Sequence, residues 1–209
     1  IHSDGYITIT GGFFDIYTGD DGVHADTSLV LGTEKGYDRD PEINIYQSYE
    51  GLEAGTIYTY SGKYFVVASD DGINAAGGSS NGSDPGSGGG NHFNPGGIPG
   101  TSNASSENYA MYINGGKFYV DCTGDGLDCD GSIVITGATV FAAGTNSMNE
   151  NPSSSSQKYI TSTGSMSANT IVNVTNNGTI VYSDKLPKKV NYILYSSPDM
   201  SSTSGYSIS

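Results

Sequence analysis

The stretch TGDDGVHAD, residues 18–26, places two adjacent carboxylates before a glycine. Three similar stretches follow it along the chain: QSYEGLEAG at 47–55, ASDDGINAA at 68–76 and CTGDGLDCD at 122–130. When the four are aligned on their glycines, each carries an apolar residue at the next position and Ala or Cys two positions beyond that. The chain therefore contains an internal repeat, and such a repeat restricts the architectures that it can form.

Apolar residues on both sides of the acidic stretches repeat as well. Within each unit they are spaced by two, which is the period of a β-strand. The upstream set is Phe14, Ile43, Tyr64 and Phe118 with Ile16, Ile45, Val66 and Val120; the downstream set is Ile7, Leu29, Ile57, Met111 and Ile133 with Ile9, Leu31, Ile113 and Ile135. A unit of this size cannot bury its apolar face alone, whereas stacked copies can. The pattern predicts an all-β fold, a parallel β-helix of about 21–22 residues per coil, with like residues about 4.8 Å apart.

The repeat also predicts the organisation of the chain. One domain is expected over 1–209, with coils over 1–145, a terminal loop and a C-terminal antiparallel β cap over 146–209, and a Gly/Ser-rich loop inserted at 77–107. Glycine pairs at 11–12 and 115–116 and the Ser-Gly pair at 61–62 mark one corner of the coil. The NNG sequence at 176–178 predicts a hairpin turn in the cap.

Composition and charge exclude several classes of partner. The chain has 209 residues, a net charge of −14 and a single arginine, Arg39. Nucleic acid is excluded because its binding requires Lys and Arg against phosphate, and an anionic membrane is disfavoured for the same reason. No apolar run is long enough for a transmembrane helix. The chain begins without Met, and from this we expect a processed extracellular or cell-surface segment.

Stacking of the repeats brings carboxylates into files. Two carboxylates about 4.8 Å apart repel by roughly 3–4 kcal/mol near a protein surface, so either the side chains splay into solvent or cations lie between the coils. Calcium fits because it takes 6–8 oxygen ligands with tolerant geometry. Ordinary turn chemistry of Asp-Gly steps is the alternative. The candidate metal ligands are Asp20, Asp21, Glu50, Glu53, Asp70, Asp71, Asp125, Asp128 and Asp130.

Transition metals are disfavoured by the same composition. The chain contains three His and two Cys, and it has no Cys cluster. Cys122 and Cys129 fall on inward positions of the repeat. Free core thiols and a disulfide across the turn are both compatible with that placement.

Several separate motifs resemble a bacterial carbohydrate-binding domain family of surface and secreted proteins from clostridia and related bacteria. They are GGFFDIYTGDDGVHADTSLVL at 11–31, YEGLEAGTI at 49–57, ASDDGINAAGG at 68–78, and a coda that begins with AAGTNSMNENPSSSSQ at 142–157 and ends with YSSPDM at 195–200. The resemblance implies a right-handed parallel β-helix similar to polysaccharide lyases. It also implies calcium binding and attachment to cellulose or polygalacturonate of plant cell walls without catalysis. By motif match the acidic steps of the family fall on Asp20, Asp21, Glu50, Asp70, Asp71 and Asp125, while Gly124 departs from the two-acid pattern.

Two readings of function follow. The first is a monomeric, non-catalytic carbohydrate-binding module that holds an acidic or cellulosic polysaccharide, with calcium shared between protein and ligand. Its candidate sugar-binding residues are Tyr46, Tyr49, His24, Lys63 and Lys117. The second is a calcium-dependent pectate-type lyase, in which a base takes the C5 proton and calcium acidifies it; Lys63 and Lys117 are candidates for that base. A calcium-stiffened adhesin segment is a third class.

Overall fold

The described part of the chain consists of β-strands joined by turns and bends. The structure is a computed structural model that describes residues 1–34, 40–76, 109–145, 150–153 and 156–209. The predicted loop at 77–107 therefore lies outside the described residues, and the division into one domain stays a prediction. Among the described residues, no helix has the length and apolar character needed to cross a membrane.

Within the described ranges, eighteen strands are distributed over three sheets. The first sheet contains β1 (His2–Ser3), β2 (Tyr6–Ile9), β4 (Val23–Leu31), β6 (Leu52–Thr59), β8 (Ile73–Ala75), β9 (Ala110–Ile113), β11 (Leu127–Cys129) and β12 (Ser132–Ile135). The second contains β3 (Phe13–Tyr17), β5 (Glu42–Gln47), β7 (Lys63–Val67), β10 (Lys117–Asp121), β13 (Thr139–Gly144), β14 (Tyr159–Met166) and β17 (Val190–Ser196). The third contains β15 (Ile171–Asn176), β16 (Thr179–Lys185) and β18 (Tyr206–Ile208).

The register of the parallel strands confirms the repeat alignment. In the first sheet Val23 pairs with Leu52, Leu52 with Ile73, and Ile73 with Leu127. In the second sheet β3, β5, β7, β10 and β13 pair in parallel in that order. Like residues of successive repeats therefore lie side by side, as their spacing in the sequence predicts.

A hydrophobic core fills the space between the first two sheets. Leu29, Ile57 and Met111 are fully buried in it, and Ile45 and Val66 face them from the second sheet. One position of this core is polar, because Thr59 is paired with Leu31 and Ile113. Its buried hydroxyl donates a hydrogen bond to the carbonyl of Gly115 at 3.0 Å, which satisfies the group.

Glycine at the predicted corner is required by the backbone. Gly12, Gly62 and Gly116 lie at equivalent positions and have φ values of 105°, 111° and 104°. These values fall in the left-handed region, where a side chain is strained. The corner therefore recurs with the same conformation in three repeats, as the Gly-Gly and Ser-Gly pairs predict.

The prediction of a single right-handed parallel β-helix was wrong. The second sheet changes from parallel to antiparallel where β17 pairs with β13, β14 pairs antiparallel with β17, and the third sheet is antiparallel throughout. The repeat ends near Gly144, so no further parallel coil is available to pair with β13, and a returning strand satisfies its edge instead. The molecule is all-β with mixed sheets.

The antiparallel third sheet does not lie at the end of the repeat stack, where an end cap was predicted. Val172, Val174 and Leu186 pack against Tyr119 and Phe141 on the outer face of the second sheet. The predicted hairpin is present, because Asn177 and Gly178 join β15 to β16 with φ values of 49° and 83°. A second, smaller core thus forms outside the repeat stack.

Candidate functional site

The acidic steps stack in one file, as predicted. The backbone N–H of Gly22 donates to the carbonyl of Glu50 at 2.9 Å, Gly51 to Asp71 at 3.1 Å, and Gly72 to Asp125 at 3.0 Å. Each glycine thus carries its neighbouring acid into register with the next repeat. We call the file of Asp21, Glu50, Asp71 and Asp125 the acidic ridge. A second file beside it contains Asp20, Tyr49, Asp70 and Gly124.

Some ridge carboxylates bind the backbone of the next repeat. Asp21 Oδ1 accepts a hydrogen bond from the N–H of Glu50 at 3.2 Å, and Asp71 Oδ1 accepts one from the N–H of Asp125 at 2.6 Å. Glu50 Oε2 accepts a hydrogen bond from the side-chain amide of Asn74 at 2.9 Å. Turn chemistry and ion binding are therefore not exclusive here, since one carboxylate oxygen can cap a turn while the other remains available.

Crowding of like charges disfavours ionisation in the middle of the ridge. Burial raises the pKa of Glu50 to about 8, and the charges of Glu53, Asp21 and Asp71 add to that effect. Burial likewise raises the pKa of Asp71 to about 7, with Asp128, Asp70 and Asp125 contributing and the Asp125 hydrogen bond opposing. The pKa of Asp128 is raised by burial and by Asp130. A cation at these levels would relieve the repulsion.

The top of the ridge contains a histidine among carboxylates. His24 Nδ1 lies 3.1 Å from Asp21 Oδ2 and 2.7 Å from Glu53 Oε2, and its Nε2 lies 3.1 Å from Asp26 Oδ1. Hydrogen bonds to Asp21 and Glu53 raise the pKa of His24 to about 10, and the same contacts lower that of Asp21. Without a bound ion, an imidazolium neutralises part of the charge at this level.

A row of neighbouring aromatic rings, stacked except for the tilted Tyr46–Phe65 pair, runs along the outer face of the second sheet. We call it the aromatic strip, and its members are Tyr17, Tyr46, Phe65, Tyr119 and Phe141. Successive ring centroids are separated by 5.0, 5.6, 5.0 and 5.5 Å. The strip changes from open to covered along its length, because Tyr17 is 72% and Tyr46 39% exposed whereas Phe141 is fully buried beneath the third sheet. Phe13, on the outer face of the same β3 strand, is 63% exposed.

A cleft adjoins the covered end of the strip. It has a volume of about 480 Å³ and is lined by Phe65 and Tyr119 on one side and by Val181 and Tyr182 of the third sheet on the other. Lys63 and Lys117, paired in register, also line it. Lys63 Nζ lies 3.4 Å from Glu42 Oε2, and both lysines are exposed. The cleft thus offers apolar ring faces beside positive charge.

The structure distributes the predicted sugar-binding residues over different surfaces. Tyr46 belongs to the aromatic strip, whereas His24 and Tyr49 lie at the acidic ridge, where a hydrogen bond to Asp70 raises the pKa of Tyr49 to about 12. Lys63 and Lys117 begin their strands and lie at the corner opposite to the ridge. Asp70 follows Lys63 by seven positions, so roughly 20 Å of extended chain separates them.

Of the predicted metal ligands, Asp20 and Asp130 are exposed at the margin of the ridge, and Asp70 lies in the file beside it. Three residues of the open aromatic surface were missed by sequence analysis: Phe13, Tyr17 and Phe65. The signal that could have found them is the strand period in FFDIY at 13–17, where Phe14 and Ile16 face the core and Phe13 and Tyr17 therefore face outward.

Comparison with known proteins gives one match. Residues 1–83 match the model of a family described as carbohydrate-binding domain-containing protein. The matched segment includes the open end of the aromatic strip and three of the four ridge positions. No curated protein and no solved structure matches the chain.

Proposed function

We propose that this chain is a non-catalytic carbohydrate-binding module that binds a polysaccharide of plant cell walls along the open end of the aromatic strip. The observation that carries the proposal is the line of neighbouring rings formed by Tyr17, Tyr46 and Phe65, in which Tyr17 and Tyr46 are exposed and Phe65 is half-buried. Flat aromatic faces bury the apolar faces of sugar rings and leave the hydroxyl groups at the rim in water. The family match over residues 1–83 covers these three rings and supports the same function.

The proposal extends to the type of polysaccharide. Cellulose and polygalacturonate both present flat rings that stack on such a strip. A uronate polymer would in addition meet Lys63 and Lys117 at the cleft, where ammonium groups can pair with its carboxylates. An extracellular or cell-surface location is part of the proposal, because that is where a bacterial chain meets these polymers.

Calcium at the lower levels of the acidic ridge is a further part of the proposal. Glu50, Asp71, Asp125 and Asp128 supply oxygen atoms alone, which are the ligands that calcium prefers. The side-chain oxygen of Asn74 is buried and has no hydrogen-bond partner, and the residue is 7% exposed, so an amide ligand is available between Glu50 and Asp128. When bound, calcium would neutralise carboxylates that burial and mutual repulsion otherwise keep protonated.

The separation of lysines from the ridge favours binding over the lyase reaction. A lyase base must reach the same sugar unit whose carboxylate is held by calcium. Lys63 and Lys117 begin strands whose other end leads to the acidic steps, and roughly 20 Å of extended chain separates Lys63 from Asp70. The arrangement supports a polysaccharide that is bound both at the lysines and at the acidic ridge, rather than abstraction of a proton from a sugar unit held by calcium.

A binding assay with a product assay in parallel tests the proposal. The 209-residue chain is incubated with insoluble cellulose and, in native gels, with polygalacturonate, in calcium chloride or in chelator. Retention on either polymer without unsaturated product, read by ultraviolet absorbance, is the expected result. Absence of retention on both polymers overturns carbohydrate binding, and accumulation of unsaturated product overturns the non-catalytic assignment.

A further inference from the structure

The side chains of Asp21, His24 and Glu53 come from three elements of the fold and converge on one point. Asp21 belongs to the acidic turn, His24 to β4 and Glu53 to β6, which pairs with β4 through His24 and Glu53. Among the described residues, this is the one group of three His, Cys, Asp or Glu side chains whose ligand atoms all lie within 4.8 Å of one another. The side chains of Asp21, His24 and Glu53 are 13%, 25% and 16% exposed, so the group is sheltered but accessible from solvent.

The orientation of the imidazole is fixed from its other side. His24 Nε2 lies 3.1 Å from Asp26 Oδ1, while Nδ1 faces the two converging carboxylates. Metal-ligating histidines commonly donate their second ring N–H to a carboxylate, which sets the tautomer and raises the basicity of the ligand nitrogen. The ring of His2 lies 4.8 Å from that of His24 and makes its own contact with Asp4. The outer contacts of His24 are thus those of a metal ligand.

The donor set differs in kind from the lower levels of the ridge. One imidazole nitrogen with two carboxylates suits zinc and related first-row metals, whereas calcium takes oxygen ligands. At the position of His24 the lower repeats carry Glu53, Asn74 and Asp128, so the nitrogen ligand is confined to the top level. We propose that Asp21, His24 and Glu53 form a binding site for a zinc-class divalent transition metal, distinct from the calcium levels below. This proposal differs from the sequence-based expectation that transition metals are disfavoured. Stacking of the repeats brings together three side chains that are spread over 33 positions of the sequence.

The competitor for this site is the proton. With both ring nitrogens protonated, the imidazolium forms ion pairs with the two carboxylates and needs no metal; with Nδ1 deprotonated, the three groups supply three ligand atoms. A metal must displace that proton, so binding is measured above neutral pH.

Calorimetric titration of the full chain with zinc chloride at pH 7.5 tests the site. We expect the parent chain to bind one zinc ion. In His24→Gln, zinc binding should be undetectable or at least about tenfold weaker. Asp26→Asn, which removes the outer carboxylate, should weaken zinc about 10–100-fold. His2→Gln is the matched control, because His2 is the in-register neighbour of His24 and its ring contacts Asp4 instead of the two carboxylates; its zinc affinity should stay within about twofold of the parent chain.

A spectroscopic measurement keeps the proposal testable if His24→Gln does not fold. X-ray absorption of the zinc-loaded parent chain should contain the multiple-scattering signature of one imidazole with oxygen neighbours. Zinc uptake that is equal in His24→Gln and the parent chain, an imidazole-free spectrum, or no uptake at all overturns the proposal. Calcium binding by folded His24→Gln should equal that of the parent chain. A wrong zinc proposal can therefore be distinguished from a wrong calcium proposal.

Discussion

Asp71 Oδ1 accepts a hydrogen bond of 2.6 Å from the backbone N–H of Asp125, a residue 54 positions further along the chain. The same carboxyl group has its pKa raised to about 7 by burial and by its acidic neighbours. One side chain therefore both secures the next repeat and carries part of the charge repulsion of the ridge. Its relation to Asp125 links stability to pH in this fold.

The stability of the metal-free chain should fall as pH rises. Between pH 4.5 and about 8 the folded chain retains a proton on Glu50 that the unfolded chain has released, and Asp71 does the same between pH 3.8 and about 7. Because the folded state binds more protons in this window, the free energy of unfolding decreases with increasing pH. Above pH 6.5, loss of the His24 proton from the unfolded chain acts in the same direction, up to about 10. Thermal melts in chelator at pH 5 and pH 8 measure the effect.

Calcium provides the control for that experiment. An ion bound to the folded state alone stabilises it by mass action. In calcium chloride we expect the melting temperature at pH 8 to rise more than that at pH 5, since the ridge carboxylates are available as ligands at the higher pH. A melting temperature that increases with pH in chelator, or a calcium effect larger at pH 5, would contradict this account.

Removal of a ring from the open end of the aromatic strip should weaken polysaccharide binding. Tyr17→Ala and Tyr46→Ala each delete a stacking surface, and truncation of a central aromatic residue commonly costs about 1–2 kcal/mol, or five- to thirtyfold in affinity. Affinity gels with polygalacturonate and depletion isotherms on cellulose measure the loss. Tyr58→Ala is the matched control, because Tyr58 stacks on Tyr112 at 5.1 Å on the first sheet. Equal losses in all three variants would place the sugar elsewhere.

Glycine in the acidic turn should be required for close approach of the repeats. A Cβ at Gly51 would lie 2.2 Å from the carbonyl oxygen of Gly72 and 2.2 Å from Val66 Cγ1. Gly51→Ala should therefore cost about 1–3 kcal/mol through overpacking, which lowers the melting temperature by roughly 3–10 °C in a chain of this size. Gly19→Ala is the control, because a Cβ there meets nothing within 4 Å. A melting temperature of Gly51→Ala equal to that of Gly19→Ala would refute the tight stacking.

Lys188 should anchor the third sheet to the repeat stack. Its ammonium group donates to the carbonyl of Ala68 and lies near Asp121, which is fully buried and has its pKa raised by burial to about 6. Lys188→Ala leaves that carboxyl group without its opposite charge, and we expect a loss of about 2–3 kcal/mol at pH 7.5 by chemical denaturation.

The neighbouring Lys189→Ala serves as the surface control for Lys188→Ala and should change stability by less than about 0.5 kcal/mol. Adding Asp121→Asn to Lys188→Ala should recover part of the loss, because it removes the uncompensated charge. If the double variant is less stable than Lys188→Ala alone, the carboxylate is not the source of the effect.

Prediction from sequence succeeded where the structure repeats itself. The pairing of Val23, Leu52, Ile73 and Leu127 follows from their equal distances to the repeat glycines, and the ridge follows from the same alignment. It failed after Gly144, where the repeat signal ends and an antiparallel strand pairs with β13. Sequence patterns such as those of β15 and β17 indicate strands. They do not indicate which sheet edge a strand pairs with or which sheet face it covers.

The site was predictable in part for the same reason. Asp21 and Glu53 were predicted as calcium ligands and His24 as a sugar contact, and these roles stay predictions; that the three side chains meet at Nδ1 depends on side-chain orientation in two adjacent strands. The aromatic strip depends on which strand faces remain uncovered by the third sheet, since Tyr17 and Phe141 both lie on the outer face of the second sheet and yet Tyr17 is exposed and Phe141 is buried.

The sequence alone determined the repeat, its register and the stacking of acids. When similar units stack to bury a common apolar face, residues at equivalent positions of the repeat become neighbours in space. Only the tertiary structure decided where the chain stops repeating, which rings stay open to solvent and which nitrogen faces which carboxylate. Those outcomes depend on contacts between segments that do not belong to the same repeat. The energies of such contacts cannot be read from a local sequence pattern.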